Sequence, residues 1–200
     1  MVIRTLPTAL ISILIIPQPL QAASTDLHKH ASVYAGQEQR QIKSLSESDI
    51  AQLKAGAGWG LAKAAELNGV PGPLHLLEMK EQIGLSNSQI EAIEALYQEM
   101  KQEAITLGER LIDQEKSLEK HFREHIPTTD KLREMLNEIG KTRAALRYAH
   151  LSAHLNTPNI LTRKQIDQYN QLRGYSSSDP CDSVPAGHNE AMWKKHNGCE

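Results

Sequence analysis

Two hundred residues with 24 acidic and 22 basic side chains, a formal net charge of −2 and only 4% aromatic residues allow one domain with tails. A single Phe leaves little for a large aromatic core or a β-sandwich, while 23% charged residues of alternating sign suit long solvated helices. No basic stripe or aromatic-interleaved patch is present, which argues against nucleic acid as the main partner.

The chain opens on a segment with the pattern of an export signal. Arg4 and the α-amine form a short n-region, Leu6 to Ile16 is apolar, Pro17 and Pro19 break the run, and Ala22 and Ala23 follow. The apolar run is about half of the ~20 residues that a membrane span needs. Residues 1–23 are therefore read as a cleavable signal peptide, with an uncleaved N-terminal anchor as the alternative, and the chain as periplasmic.

Residues 24–70 are read as an N-terminal helical arm. They are polar up to residue 44, with helix-compatible stretches around Tyr34 to Ile42. Ser46 to Asp49 offers a helix start, and the Gly-rich run Gly56-Ala57-Gly58-Trp59-Gly60 follows. Leu61 to Leu67 is Ala-rich and helical in pattern. Asn68-Gly69 and Pro71-Gly72 then mark a turn, and Pro73 suits the first position of the next helix.

Residues 71–174 are read as an α-hairpin domain. A short helix, Leu74 to about Ile83, leads to Gly84 and to the box Leu85-Ser86-Asn87-Ser88-Gln89. A long helix runs from Gln89 to about His125, with Ile90, Ile93, Tyr97, Met100, Ala104, Leu107, Leu111, Gln114 and Leu118 forming a stripe about 3.5 residues in period. Ile126 to Asp130 is a turn. The return helix spans Lys131 to about Asn156, and Pro158 ends it. A second box, Leu161-Thr162-Arg163-Lys164-Gln165, starts a last helix to Arg173. In each box the Ser86 or Thr162 hydroxyl can accept from the backbone N–H three residues on, while Gln89 or Gln165 reaches back to the capping residue's amide. Residues 175–200 are rich in Ser, Asp, Pro, Gly and His and are read as a flexible tail, with Cys181 and Cys199 as a disulfide worth roughly 3 kcal/mol in chain-entropy terms. The fold class is all-α: a long antiparallel α-hairpin closed by shorter helices.

Paired LSNSQ and LTRKQ boxes in an exported, all-helical chain resemble the LTxxQ family of periplasmic proteins. That family includes the Spy/CpxP-type chaperones and stress adaptors, and is related to metal sensors of the CnrX and ZraP kind. The resemblance covers roughly residues 70–174. It implies a bent four-helix hairpin that often dimerises into a cradle. Chaperone members hold unfolded clients without ATP; sensor members place histidines and softer ligands on the same scaffold. This chain carries nine histidines, more than a plain chaperone needs, and lacks a clear membrane anchor of the sensor type.

His150 and His154 stand at i and i+4, so both rings project from one helix face and can share Zn, Ni or Cu. His75 and Met79 form a second such pair, with Glu78 beside them. In the resembled sensors, ligands come from the helix before the first box and from the end of the return helix, and His75, His150 and His154 fall in those regions. The competing reading leaves His150 and His154 partly solvated at a helix C-terminus, where the dipole favours a protonated ring. His121-Phe122-Arg123-Glu124-His125 spells the H-x-x-E-H zinc-protease string, yet sits at a helix end beside Pro127 without a large catalytic domain. Cys181, His188, His196 and Cys199 have spacings too wide for a usual zinc site. Gly56, Gly58 and Gly60 lack the following Lys-[Ser/Thr] of a phosphate loop, and no nucleophile elbow is present. The expected function is therefore not enzymatic. It is an ATP-independent periplasmic chaperone or envelope-stress adaptor, dimeric, with unfolded or misfolded periplasmic proteins or a sensor protein as partners. The alternative is a divalent-metal sensor or scavenger.

Overall fold

A computed structural model describes residues 32–175, 181, 184 and 187–199. Residues 1–23, read above as a signal peptide, residues 24–31 with His28 and His30, and part of the tail lie outside the described residues. Ser32–Gly36 belongs to a unit separate from residues 37–200 and forms a turn closed by the Ala35 N–H on the Ser32 carbonyl at 3.0 Å.

The described residues are helix and turn, with no strand among them. Four caps written in the sequence set the helix starts. Ser46 opens α1 (Glu47–Lys54) with a complete capping box on Asp49. Two short helices follow, α2 (Lys63–Glu66) and, after Gly72, α3 (Pro73–Glu78), which has proline in its first turn. α3 breaks at Met79 before α4 (Lys80–Ile83), so the helix expected over 74–83 is two pieces. Ser86 caps α5 (Asn87–Glu124) and Thr128 caps α6 (Thr129–Asn156). A 3₁₀ turn over Thr157–Asn159 leads to α7 (Arg163–Leu172), capped by Thr162.

Tyr34 to Ile42, expected to favour helix, is a run of turns. Gly36 has φ +88°, a left-handed conformation that stops a helix. Beyond it, within the second unit, Ile42 and Leu45 are each 2% exposed and belong to the core. Ile42, Leu45 and Leu53 pack with Ala104, Leu111 and Ile112 of α5 and with Ile139 and Leu146 of α6. Residues from both the arm (24–70) and the domain (71–174) thus share one hydrophobic core. Glu115, buried in it, accepts from the Ser44 hydroxyl at 2.9 Å and faces the Arg143 guanidinium at 3.6 Å. Lys43 pairs with Glu119 at 2.7 Å alongside.

The arm also shifts which face of α5 is buried. Gly108, Ile112 and Glu115 are buried, while Leu107, Gln114 and Leu118 of the expected stripe are half-buried. The reason is the close approach of α1: a Cβ on Gly108 would collide with the Leu53 carbonyl oxygen. Only glycine fits there, and the contact rotates the covered face toward α1.

Beyond Gly174, the tail expected to be flexible contains α8 (Glu190–Asn197). Its start has a local cause: the Asn189 side chain accepts from the Met192 N–H at 3.1 Å, and Lys194 reaches Glu190 at 2.6 Å. Cys181 and Cys199 are joined by a disulfide, their Cα atoms 5.3 Å apart.

The two boxes meet. Gln89 and Gln165, 76 residues apart, exchange amide hydrogen bonds of 2.9 and 3.0 Å. Each side-chain oxygen also accepts from its own cap, Ser86 N–H or Thr162 N–H, at 2.9 Å. Each side-chain nitrogen donates across to the residue before the opposite leucine: Gln89 to the Ile160 carbonyl at 2.8 Å and Gln165 to the Gly84 carbonyl at 3.2 Å. Leu85 and Leu161 pack on the cluster of Leu76, Ile83, Ile93 and Tyr169 beneath. The arrangement is locally two-fold and locks the entry of α5 to that of α7. A double-mutant cycle on Gln89→Ala and Gln165→Ala should give a coupling of about 1 kcal/mol in urea unfolding. Additive single effects would show that the two boxes act independently.

Candidate functional site: a histidine-lined cleft

α2 and α3 pack against the end of α6 and the start of α5, and between them lies a cleft of about 330 Å³. His75, His150 and His154, chosen from the sequence as metal-ligand candidates, all line it. Met79 does not; it packs on the Leu76–Tyr169 cluster, because the break in the short helix turns it toward the core.

Each histidine has a distinct environment. His154, 7% exposed, places Nδ1 2.9 Å from the Val70 carbonyl. That bond fixes Nδ1 as the donor in the neutral ring and leaves Nε2 as an acceptor facing Gly72. The fit is tight: a Cβ on Gly72 would fall 2.6 Å from His154 Nε2. Thr157 ties the same corner, its hydroxyl 2.6 Å from the Pro71 carbonyl and 3.0 Å from that of His154. His75 is directed to Glu78 at 2.7 Å. His150 is 3% exposed, and its Nε2 is buried with no hydrogen-bond partner.

Burial first, then the nearby His154 ring, hold His150 below the ordinary imidazole value of 6.5. Above that value the ring is neutral in both folded and unfolded chains, so stability is unaffected. As pH falls through it, the unfolded chain takes the proton first, and the folded state loses stability until the lower folded-state value is reached. The stability advantage of wild type over His150→Gln should therefore shrink between about pH 7 and pH 5 in urea titrations. An advantage constant over that range would contradict the assignment.

Glu66 organises the other wall, and sequence reasoning missed it. Its Oε1 accepts from the hydroxyls of Tyr169 at 2.8 Å and Tyr175 at 3.1 Å, and from Arg173 Nε at 3.0 Å. Its Oε2 stands 4.0 Å from His154 Nδ1. Burial and then Glu66 raise the Tyr169 phenol well above its usual range, so it stays a donor to the carboxylate. The available signal was Tyr169 itself: a tyrosine on an inward face needs a partner for its hydroxyl.

Trp59 closes the cleft from the Gly-rich run. Its indole N–H donates to Asp49 Oδ1 at 2.8 Å, and the Arg143 guanidinium lies 5.3 Å from its ring. Its φ of +43° is left-handed, a strained backbone for so large a residue. Tyr97, Met100, Pro73 and Leu74 supply further apolar lining.

Among the described residues, no three His, Cys, Asp or Glu side chains converge as a metal-holding group. The three histidines share a cleft without forming a chelate. His121 lies at the end of α5 with Nδ1 2.9 Å from the Ser117 carbonyl, and His125 is its C-cap. His188 stacks edge-on against Trp193 with ring centroids 5.0 Å apart. Among the described residues, no helix is long and apolar enough to cross a membrane. Compared with protein-family models, curated proteins and solved structures, the chain matches none.

Proposed function

We infer that this chain is an exported, LTxxQ-type helical hairpin that holds unfolded periplasmic proteins without ATP, as a chaperone or envelope-stress adaptor working as a dimer. The observation that carries this reading is an apolar stripe exposed along α6. Leu136, Tyr148 and Leu155 are 49%, 69% and 67% exposed. Exposed Gly140 and Ala144 and half-buried Leu151 lie between them. Steps of three and four place all six on one helix face, roughly 28 Å long at 1.5 Å per residue. Exposed Arg133 and Arg147 lie on the same face and Lys141 at its edge, Arg133 paired with Asp130 at 2.9 Å and Lys141 with Glu138 at 2.7 Å. Such a surface makes weak, reversible contacts with apolar segments while its cations keep the complex soluble. The reciprocal Gln89–Gln165 pair supports the kinship of the two boxes. Divalent-metal sensing is the competing reading; it draws on the shared cleft of His75, His150 and His154 and would need further ligands brought to one point.

The test is a triple variant, Leu136→Glu, Tyr148→Glu and Leu155→Glu, assayed against the aggregation of reduced α-lactalbumin. Suppression should be lost while circular dichroism keeps the wild-type helicity. Undiminished suppression by a folded triple variant would overturn the reading.

A further inference from the structure

We propose that the cleft bounded by α2, α3, α5 and α6 binds a small aromatic molecule bearing a hydroxyl group, a function separate from client holding on the exposed face of α6. Four observations converge on that chemistry.

The volume of about 330 Å³ lies within the ~300–1,000 Å³ typical of small-molecule sites, near the lower bound. Its apolar lining is aromatic and soft: Trp59, Tyr97 and Met100, with Pro73 and Leu74 beside them. Flat rings stack on such walls, and methionine adapts to their edges. Leu74 is 41% exposed, an apolar side chain left uncovered beside the cleft.

The polar requirement comes from His150. It is the most buried polar side chain lining the cleft, and its Nε2, closed to solvent as the ring stands, has no partner. A buried, unsatisfied ring nitrogen is costly to the free protein, and a ligand that satisfies it recovers that cost. A hydroxyl both donates and accepts, so it suits either tautomer of the neutral ring.

Of the neighbouring charges, Lys63 lines the cleft as an exposed side chain with no ion pair to a described residue, and the others are engaged. Glu66 is shared by Tyr169, Arg173 and Tyr175, and His75 is turned to Glu78. That disfavours a multiply charged ligand or a bare cation and leaves His150, with the nearby His154 Nε2 acceptor, as the polar anchor. The strained backbone of Trp59, held by Asp49 and capped by Arg143, keeps an indole at the cleft when a relaxed loop would not.

The experiment uses the full chain carrying Trp193→Phe, so that Trp59 is the remaining tryptophan of the two. p-Cresol, toluene and Zn²⁺ are each titrated, following Trp59 fluorescence and the ¹⁵N shifts of the histidine rings. p-Cresol should give a saturable Trp59 response and move His150 Nε2, binding at least about tenfold more tightly than toluene. In His150→Phe, p-cresol and toluene should bind alike. If that variant does not fold, the p-cresol-to-toluene ratio and the His150 shift in the His150-containing chain decide alone. No saturable response to p-cresol, or equal affinity for the two probes, overturns the proposal. So does a Zn²⁺ titration that moves His150 and His154 together while p-cresol moves neither; that outcome makes the cleft a metal centre.

Discussion

Replacing Glu66 with alanine should destabilise the fold by about 3 kcal/mol, among the largest effects of any polar substitution in this chain. One carboxylate oxygen serves three donors, on Tyr169, Arg173 and Tyr175, and so fastens the end of α7 and the residues after it to α2. Without it, the hydroxyl of Tyr169, a residue 0% exposed, loses its acceptor in a part-buried site. Arg173 loses its counter-ion, although its side chain is 29% exposed and water recovers part of that loss. Glu66→Gln keeps an acceptor and should cost clearly less than alanine. Urea unfolding of the two variants checks this, and an alanine variant within about 1 kcal/mol of wild type would show that the network carries little stability.

The same substitution at two helical glycines should have opposite signs. Gly108→Ala places its methyl against the Leu53 carbonyl, a backbone atom that cannot rotate away. Overpacking of this kind costs about 1–3 kcal/mol, and α1 must move off α5 to relieve it. The helix-propensity gain of about 1 kcal/mol does not offset the upper part of that range. Gly140, inside α6, has nothing within 4 Å of its would-be Cβ. Gly140→Ala should therefore stabilise by about 0.5–1 kcal/mol through backbone entropy alone. Thermal or urea unfolding of the pair tests the docking of α1; a stabilising Gly108→Ala would mean that the close approach does not hold in solution.

Helix starts were legible because their chemistry is local. Ser46, Ser86 and Thr162 each sit three residues before a side chain that reaches back, and Thr128 follows the Pro127 break. What the two boxes do to each other was not legible. A capping box accounts for one amide oxygen, while the second use of Gln89 and Gln165, across 76 residues, depends on tertiary placement. The tail helix was hidden for the opposite reason: Asn189 and the Glu190–Lys194 pair mark it, but the Ser/Asp/Pro-rich stretch before them dominated the composition.

The candidate cleft was half legible. Spacing put His150 and His154 on one face, and the family resemblance drew in His75, all three of which line it. Met79 followed the same i,i+4 logic and failed, because that logic assumes an unbroken helix. Glu66 and Tyr169 meet across 103 residues, and no periodicity within either segment encodes such a contact. The exposed stripe on α6 was invisible for a related reason. Apolar residues read as inward until a packed partner is known, and Leu136, Tyr148 and Leu155 have exposures of 49–69%.

The most direct test of the client-holding account replaces single residues with a photo-crosslinking amino acid and presents an unfolded client. A crosslinker at Tyr148, on the exposed stripe, is compared with one at Asp113, an exposed position on α5. Strong client adducts from position 148 and few from 113 are the predicted result. Adducts from 113 at equal or greater yield, or none from 148, would contradict the claim that the α6 face holds the client.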